Sequence, residues 1–112
     1  MDFEAAKILC VEPHLAVLES RCAILKYSGY DAVSASPQIA EIVLRNRDFD
    51  LIVLSNLSDS DVHKIINLAD GANVLVLYEI TLPTELLSLV AIASSVNSVL
   101  FPRATAKRSW LN

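Results

Sequence analysis

Apolar and polar positions along the chain alternate between two periods. Lys7 to Val11 (KILCV) is a short continuous apolar run of the kind a strand makes when both its faces are covered. From Leu15 to Tyr27 the apolar residues recur at Leu15, Leu18, Cys22 and Leu25, which is helical spacing. Gly29 follows, where a helix end favours a residue free to take a positive φ. Asp31 to Ala35 reads as a second strand. Ser36-Pro37 then opens a second helix, with serine as its cap, proline in its first turn, and Ile39, Ala40 and Val43 on one face as far as about Arg47.

The second half repeats the alternation. Asp50 to Leu54 (DLIVL) is the strongest strand and reads as central. Ser58, Asp59 and Ser60 offer caps for a third helix through Val62, Ile65, Ile66 and Ala69, stopped by Gly71. Asn73 to Leu77 (NVLVL) predicts a fourth strand, Pro83 to Ser94 a fourth helix, and Val96 to Phe101 a fifth strand closed by Pro102. Strands alternating with helices through short connections predict an α/β fold. Its doubly wound, five-stranded parallel sheet should have right-handed crossovers. After Pro102 the remaining residues are too few and too polar for a full helix, so a fifth helix is expected to be truncated or absent.

Composition narrows this picture. The 112 residues suit one domain, expected over residues 1–102, with 103–112 as a short tail. Hydrophobic residues make up 54% and charged residues 20%, which excludes a disordered chain. The net charge of -4 argues against nucleic acid, and the basic residues Arg103, Lys107 and Arg108 gather in the tail. Cys10 and Cys22 lack the spacing of a metal or redox motif and read as reduced, buried thiols. The acidic start Met1-Asp2-Phe3-Glu4 has no signal-peptide order, and no apolar run approaches the roughly 20 residues of a membrane span. A cytoplasmic location without membrane association is expected.

In such a sheet the chemistry sits at the carboxyl ends of the strands: Glu12-Pro13, Ser55-Asn56, Tyr78-Glu79 and Phe101-Pro102. No Gly-rich phosphate loop follows the first strand, which excludes dinucleotide and P-loop chemistry. His14 and His63 have no metal-ligand spacing and are expected on the surface. Ser55 is expected to bond local backbone, Glu12 to answer a helix dipole, and Asp59 and Asp61 to serve the start of the third helix.

From KILCVEP through DLIVLS and NVLVL to VLFP, the chain resembles the receiver domain of bacterial two-component response regulators, with its flavodoxin-like fold. The resemblance implies two acids after the first strand and an aspartate after the third that hold magnesium. That aspartate takes a phosphoryl group, whose oxygens a Ser/Thr after the fourth strand and a lysine after the fifth then bind. This sequence departs from the pattern. Glu12 keeps one acid, Pro13 takes the place of the second, and Ser55 that of the phosphoacceptor. Tyr78 stands for the small hydroxyl residue and Phe101 for the lysine. With Ser98 near the place of a switch aromatic, Tyr78 reads as packing with its hydroxyl at the surface, the alternative being a large-for-small exchange that freezes the switch. The segment between the third and fourth strands is short, so a stunted third helix is expected.

The expectation is therefore a degenerate receiver-like domain. It needs no cofactor, metal or catalytic residue and acts as a non-phosphorylated protein-protein interaction module in phosphorelay signalling. The alternatives are a regulator phosphorylated unconventionally and a small-ligand sensor using the vacated pocket. The resemblance further implies a cis Phe101-Pro102 bond. Finally, Leu86, Leu87, Leu89, Val90 and Ile92 spread apolar surface around the fourth helix, and a missing fifth helix leaves a sheet face bare. A homodimer is expected to cover it through Leu87, Ile92 and Trp110, unless a further segment of a longer protein does so.

Overall fold

The computed structural model describes residues 6–69, 71–77, 83–95 and 99–100. Nine elements alternate along the chain: β1 (Lys7–Val11), α1 (Leu15–Tyr27), β2 (Asp31–Ala35), α2 (Pro37–Asn46), β3 (Leu51–Ser55), α3 (Asp59–Leu68), β4 (Asn73–Leu77), α4 (Pro83–Ser95) and β5 (Val99–Leu100). They build a five-stranded parallel sheet in the order β2-β1-β3-β4-β5. Among the described residues, no helix is long and apolar enough to cross a membrane.

The punctuation follows the local chemistry. Ser36 caps α2 by accepting from Ile39 N–H, and Ser58 caps α3 by accepting from Asp61 N–H. Asp59 and Asp61 fall in the first turn of α3, where the dipole favours them. Gly29 ends the α1 turn at φ 101°, a value that side chains resist. The third helix is not stunted, because α3 has ten residues, as many as α2. Ser58 starts it three residues after β3 ends, so the shorter segment is saved in loop rather than in helix.

Alternate strand residues feed two cores. Ile8, Cys10, Leu51, Val53, Leu75 and Leu77 meet Leu18, Cys22 and Leu25 of α1 and Leu86, Val90 and Ala93 of α4. Leu9, Val11, Ile52, Leu54, Val74 and Val76 meet Ala40 of α2 and Val62 and Ile65 of α3. Two residues assigned inward by helical spacing point outward: Leu15 is 66% and Ile39 is 49% exposed. In α1 the buried arc is Leu18, Arg21, Cys22 and Leu25, and Leu15, at the margin of that arc, is exposed as the first residue of the helix.

The two cores fix the handedness. From β3 to β4 and from β4 to β5 the chain steps toward the same edge, yet α3 and α4 lie on opposite faces. The α4 crossover is therefore of opposite hand to that of α3. The crossovers through α1 and α2 share the hand of α3, so the expectation of uniform crossovers fails at α4. Packing explains the exception. With no fifth helix described beside α1, Val53, Leu75 and Leu77 need a cover on that face. Burying a side chain such as Leu86 or Val90 there contributes about 1.5–3 kcal/mol. Over β3 and β4, the face expected to be bare is thus covered by α4 itself.

Candidate functional site at the carboxyl ends of β1 and β3

Glu12 leaves β1 at the carboxyl edge of the sheet, and parallel pairing of β1 with β3 brings it beside Ser55. Its side chain is 1% exposed, a burial that an ionised carboxylate tolerates only with partners. Oε1 accepts from Ser55 Oγ at 3.0 Å and from Asn56 Nδ2 at 2.6 Å. Oε2 accepts from the His14 backbone N–H at 2.7 Å, and His14 Nδ1 lies 2.9 Å away. A carboxylate offers about four acceptor positions, and all of them are used.

Arg21 adds the counter-charge. It rises from the inner face of α1 with its Nη1 3.8 Å from Glu12 Oε1, and both side chains are buried. Nη1 makes no hydrogen bond among the described residues. Burial pushes the Glu12 carboxyl upward, but the hydrogen bonds from His14, Asn56 and Ser55 more than offset it, so its pKa lies below the ordinary 4.5. Burial also lowers the Arg21 guanidinium, and the Glu12 charge opposes that fall.

Several sequence expectations change here. Ser55 does not bond local backbone. Its hydroxyl donates to a carboxylate 43 residues away, because the register of β1 against β3 leaves Glu12 within reach. Ser55 thus has an acidic neighbour, but one that is fully hydrogen-bonded and weakly basic, and Ser55 itself is 3% exposed. Such a serine is a poor nucleophile. Glu12 is the hub of the network, and its bond from the His14 N–H also keeps it at the start of α1, where a helix dipole favours a negative charge. His14 is exposed as expected, yet it occupies the N-cap position of α1 and turns its ring onto Glu12. Pro13 is exposed and takes no part in the network.

Sequence reasoning missed Arg21, and it placed Asn56 at the strand edge without giving it a role. Position 21 lies one residue before Cys22 and four before Leu25, inside the buried arc of α1, and that was a readable signal. Asn56 has φ 56°, a left-handed conformation in which asparagine is enriched, and this turns its amide back over β1. Tyr78, Ser98, Phe101, Trp110 and the Phe101-Pro102 bond lie outside the described residues. No group of three potential metal ligands occurs among the described residues. Cys10 and Cys22 are free thiols beneath the site. Burial, with Cys22 nearby, pushes Cys10 up to about 12, and Cys22 Sγ donates to Ala32 O at 3.6 Å.

The fold is that of response-regulator receiver domains. The chain is similar to a CheY-like receiver domain from Methylobacillus flagellatus, at 19% identity and a TM-score of 0.62, covering 89% of this chain and 88% of that one. It is similar to a receiver protein from Pseudomonas putida at 20% identity and a TM-score of 0.60, covering 88% and 87%. A CheY-like receiver domain from Methanospirillum hungatei matches at 19% identity and a TM-score of 0.60, over 89% and 83%. No family model matches the sequence. No curated protein matches it either.

Proposed function

We propose that this domain is a receiver-like protein-protein interaction module that works without phosphorylation, in the cytoplasm, within two-component or phosphorelay signalling. The observation that carries this reading is the state of Glu12. The acid retained at the receiver site has every acceptor position occupied by the protein's own donors and a buried arginine beside it. A divalent cation would have to displace those donors and compete with Arg21. The position of the phosphoacceptor holds Ser55, buried and hydrogen-bonded to Glu12.

The partner in this reading is another signalling protein, a kinase or a regulator, or a second copy of the chain. For self-association, α4 and the tail, with Leu87, Ile92 and Trp110, are the interface the sequence suggests. Leu87 is partly buried against the core shared with α1, whereas Ile92 is 51% exposed. Five residues apart, they lie about 140° from one another around α4.

Incubation with acetyl phosphate and magnesium, read by intact mass, tests the reading. An unchanged mass is expected, and a stoichiometric gain of one phosphoryl group sinks it.

A further inference from the structure

The outer face of α1 combines features that find no use among the described residues. Ala16, Ser20, Ala23 and Tyr27 are all exposed and, at spacings of four, three and four residues, lie on one stripe. Three of them are small, so another helix can approach closely. The fourth, Tyr27, is 96% exposed at the end of the helix. Glu19 and Lys26 run along one flank of the stripe, exposed and without ion-pair partners among the described residues. Along the other flank runs a groove of about 410 Å³ between α1 and α4, lined in part by Ala16, Val17, Ser20, Ile24, Pro83 and Leu86. Near Tyr27 a second hollow continues it past Ala23, Ile24 and Leu87.

We infer that this face is the docking surface for a second copy of the chain, with the two α1 helices packed antiparallel about a two-fold axis near Ala23. The charges select that occupant. A two-fold axis perpendicular to the plane of the two helices keeps each flank on its own side while reversing direction. Glu19 of one copy then meets Lys26 of the other, and the pairing occurs twice. The same operation carries Tyr27 opposite Ala16 and Ser20 of the partner, at the mouth of the α1–α4 groove. An aromatic ring exposed on its own molecule thereby finds a slot on the second that is mainly apolar, with Arg21 and Asn56 also in its lining.

The inference rests on self-association within the proposed function, but it can fail separately. In light scattering at tens of micromolar, the wild-type chain should have the mass of a dimer. Ala23→Glu brings two carboxylates together at the axis and should give a monomer with an unchanged circular dichroism spectrum. Tyr27→Ala should weaken the dimer by about tenfold or more. Glu19→Lys and Lys26→Glu should each weaken it several-fold, and the double exchange should restore it. A monomeric wild type overturns the inference and leaves a different protein as the partner of the module. A dimer indifferent to Ala23→Glu overturns it too, and moves the contact to another face.

Discussion

Arg21 approaches Glu12 from the inner face of α1, with Nη1 3.8 Å from Oε1, and both side chains are buried. The two residues are unequal partners. Glu12 keeps four hydrogen bonds without Arg21, but among the described residues Nη1 has no hydrogen-bond partner even with Glu12 in place.

That asymmetry predicts unequal mutants. Arg21→Met removes a buried charge, fills similar space and leaves the carboxylate hydrogen-bonded, and should cost about 1–3 kcal/mol. Glu12→Gln strands the guanidinium and turns an amide N–H₂ toward donors that want an acceptor. Its cost should be larger, about 3–5 kcal/mol. Urea unfolding of the two variants beside the wild type checks the order as well as the sizes.

Stability should fall in acid because of the same carboxyl. The folded pKa of Glu12 lies below the ordinary 4.5, so the folded state binds this proton less readily than the unfolded chain does. The resulting stabilisation is complete above pH 4.5 and is lost as the pH falls through the lower, folded value. Urea midpoints measured from pH 6 downward should show a drop below pH 4.5 that is smaller in Glu12→Gln. Equal acid slopes in the two proteins would remove Glu12 as its source.

Ser55→Asp should not restore phosphorylation. The new carboxylate would enter a buried position with Glu12 as its nearest neighbour, where two like charges repel and one must take up a proton. The expected outcome is a protein less stable at neutral pH than at pH 5 to 6. Its mass should be unchanged by acetyl phosphate with magnesium, and a phosphorylated product would show that the remaining residues suffice.

The two thiols should be silent in the native protein. Both are buried, and Cys10 is pushed up to about 12, so almost none of it is thiolate near pH 8. Iodoacetamide at pH 8 should modify neither in the folded state and both in urea, read by intact mass. Rapid modification of the native protein would mean that the core beneath Glu12 opens readily.

Much of the architecture was legible because the strands are continuous apolar runs. KILCV, LIVLS and NVLVL leave little room for another reading, and Ser36 and Ser58 announced the starts of α2 and α3. The side of the sheet that α4 takes was not legible. Its apolar residues surround the helix, so no stripe specifies a face, and the general rule of handedness points the other way. The site was half legible. Glu12 and Ser55 could be placed at strand ends, but whether they touch depends on a register between residues 43 apart. Arg21 drew no role from the sequence, because its partner Glu12 lies on another element.

The reversed crossover of α4 has a kinetic consequence. A connection that runs against the natural twist of its strands gains nothing until it finds a surface already made. For α4 that surface is Leu18, Cys22 and Leu25 of α1 together with Val53, Leu75 and Leu77 of the sheet. Assembly should therefore run from β1, α1 and β3 outward, with α4 the last helix to dock and the first to come away. Native-state amide exchange should show it as a separate opening unit. The backbone amides around Leu86 and Val90 would exchange well before those of Ile52 and Val53, on a molecule otherwise still folded.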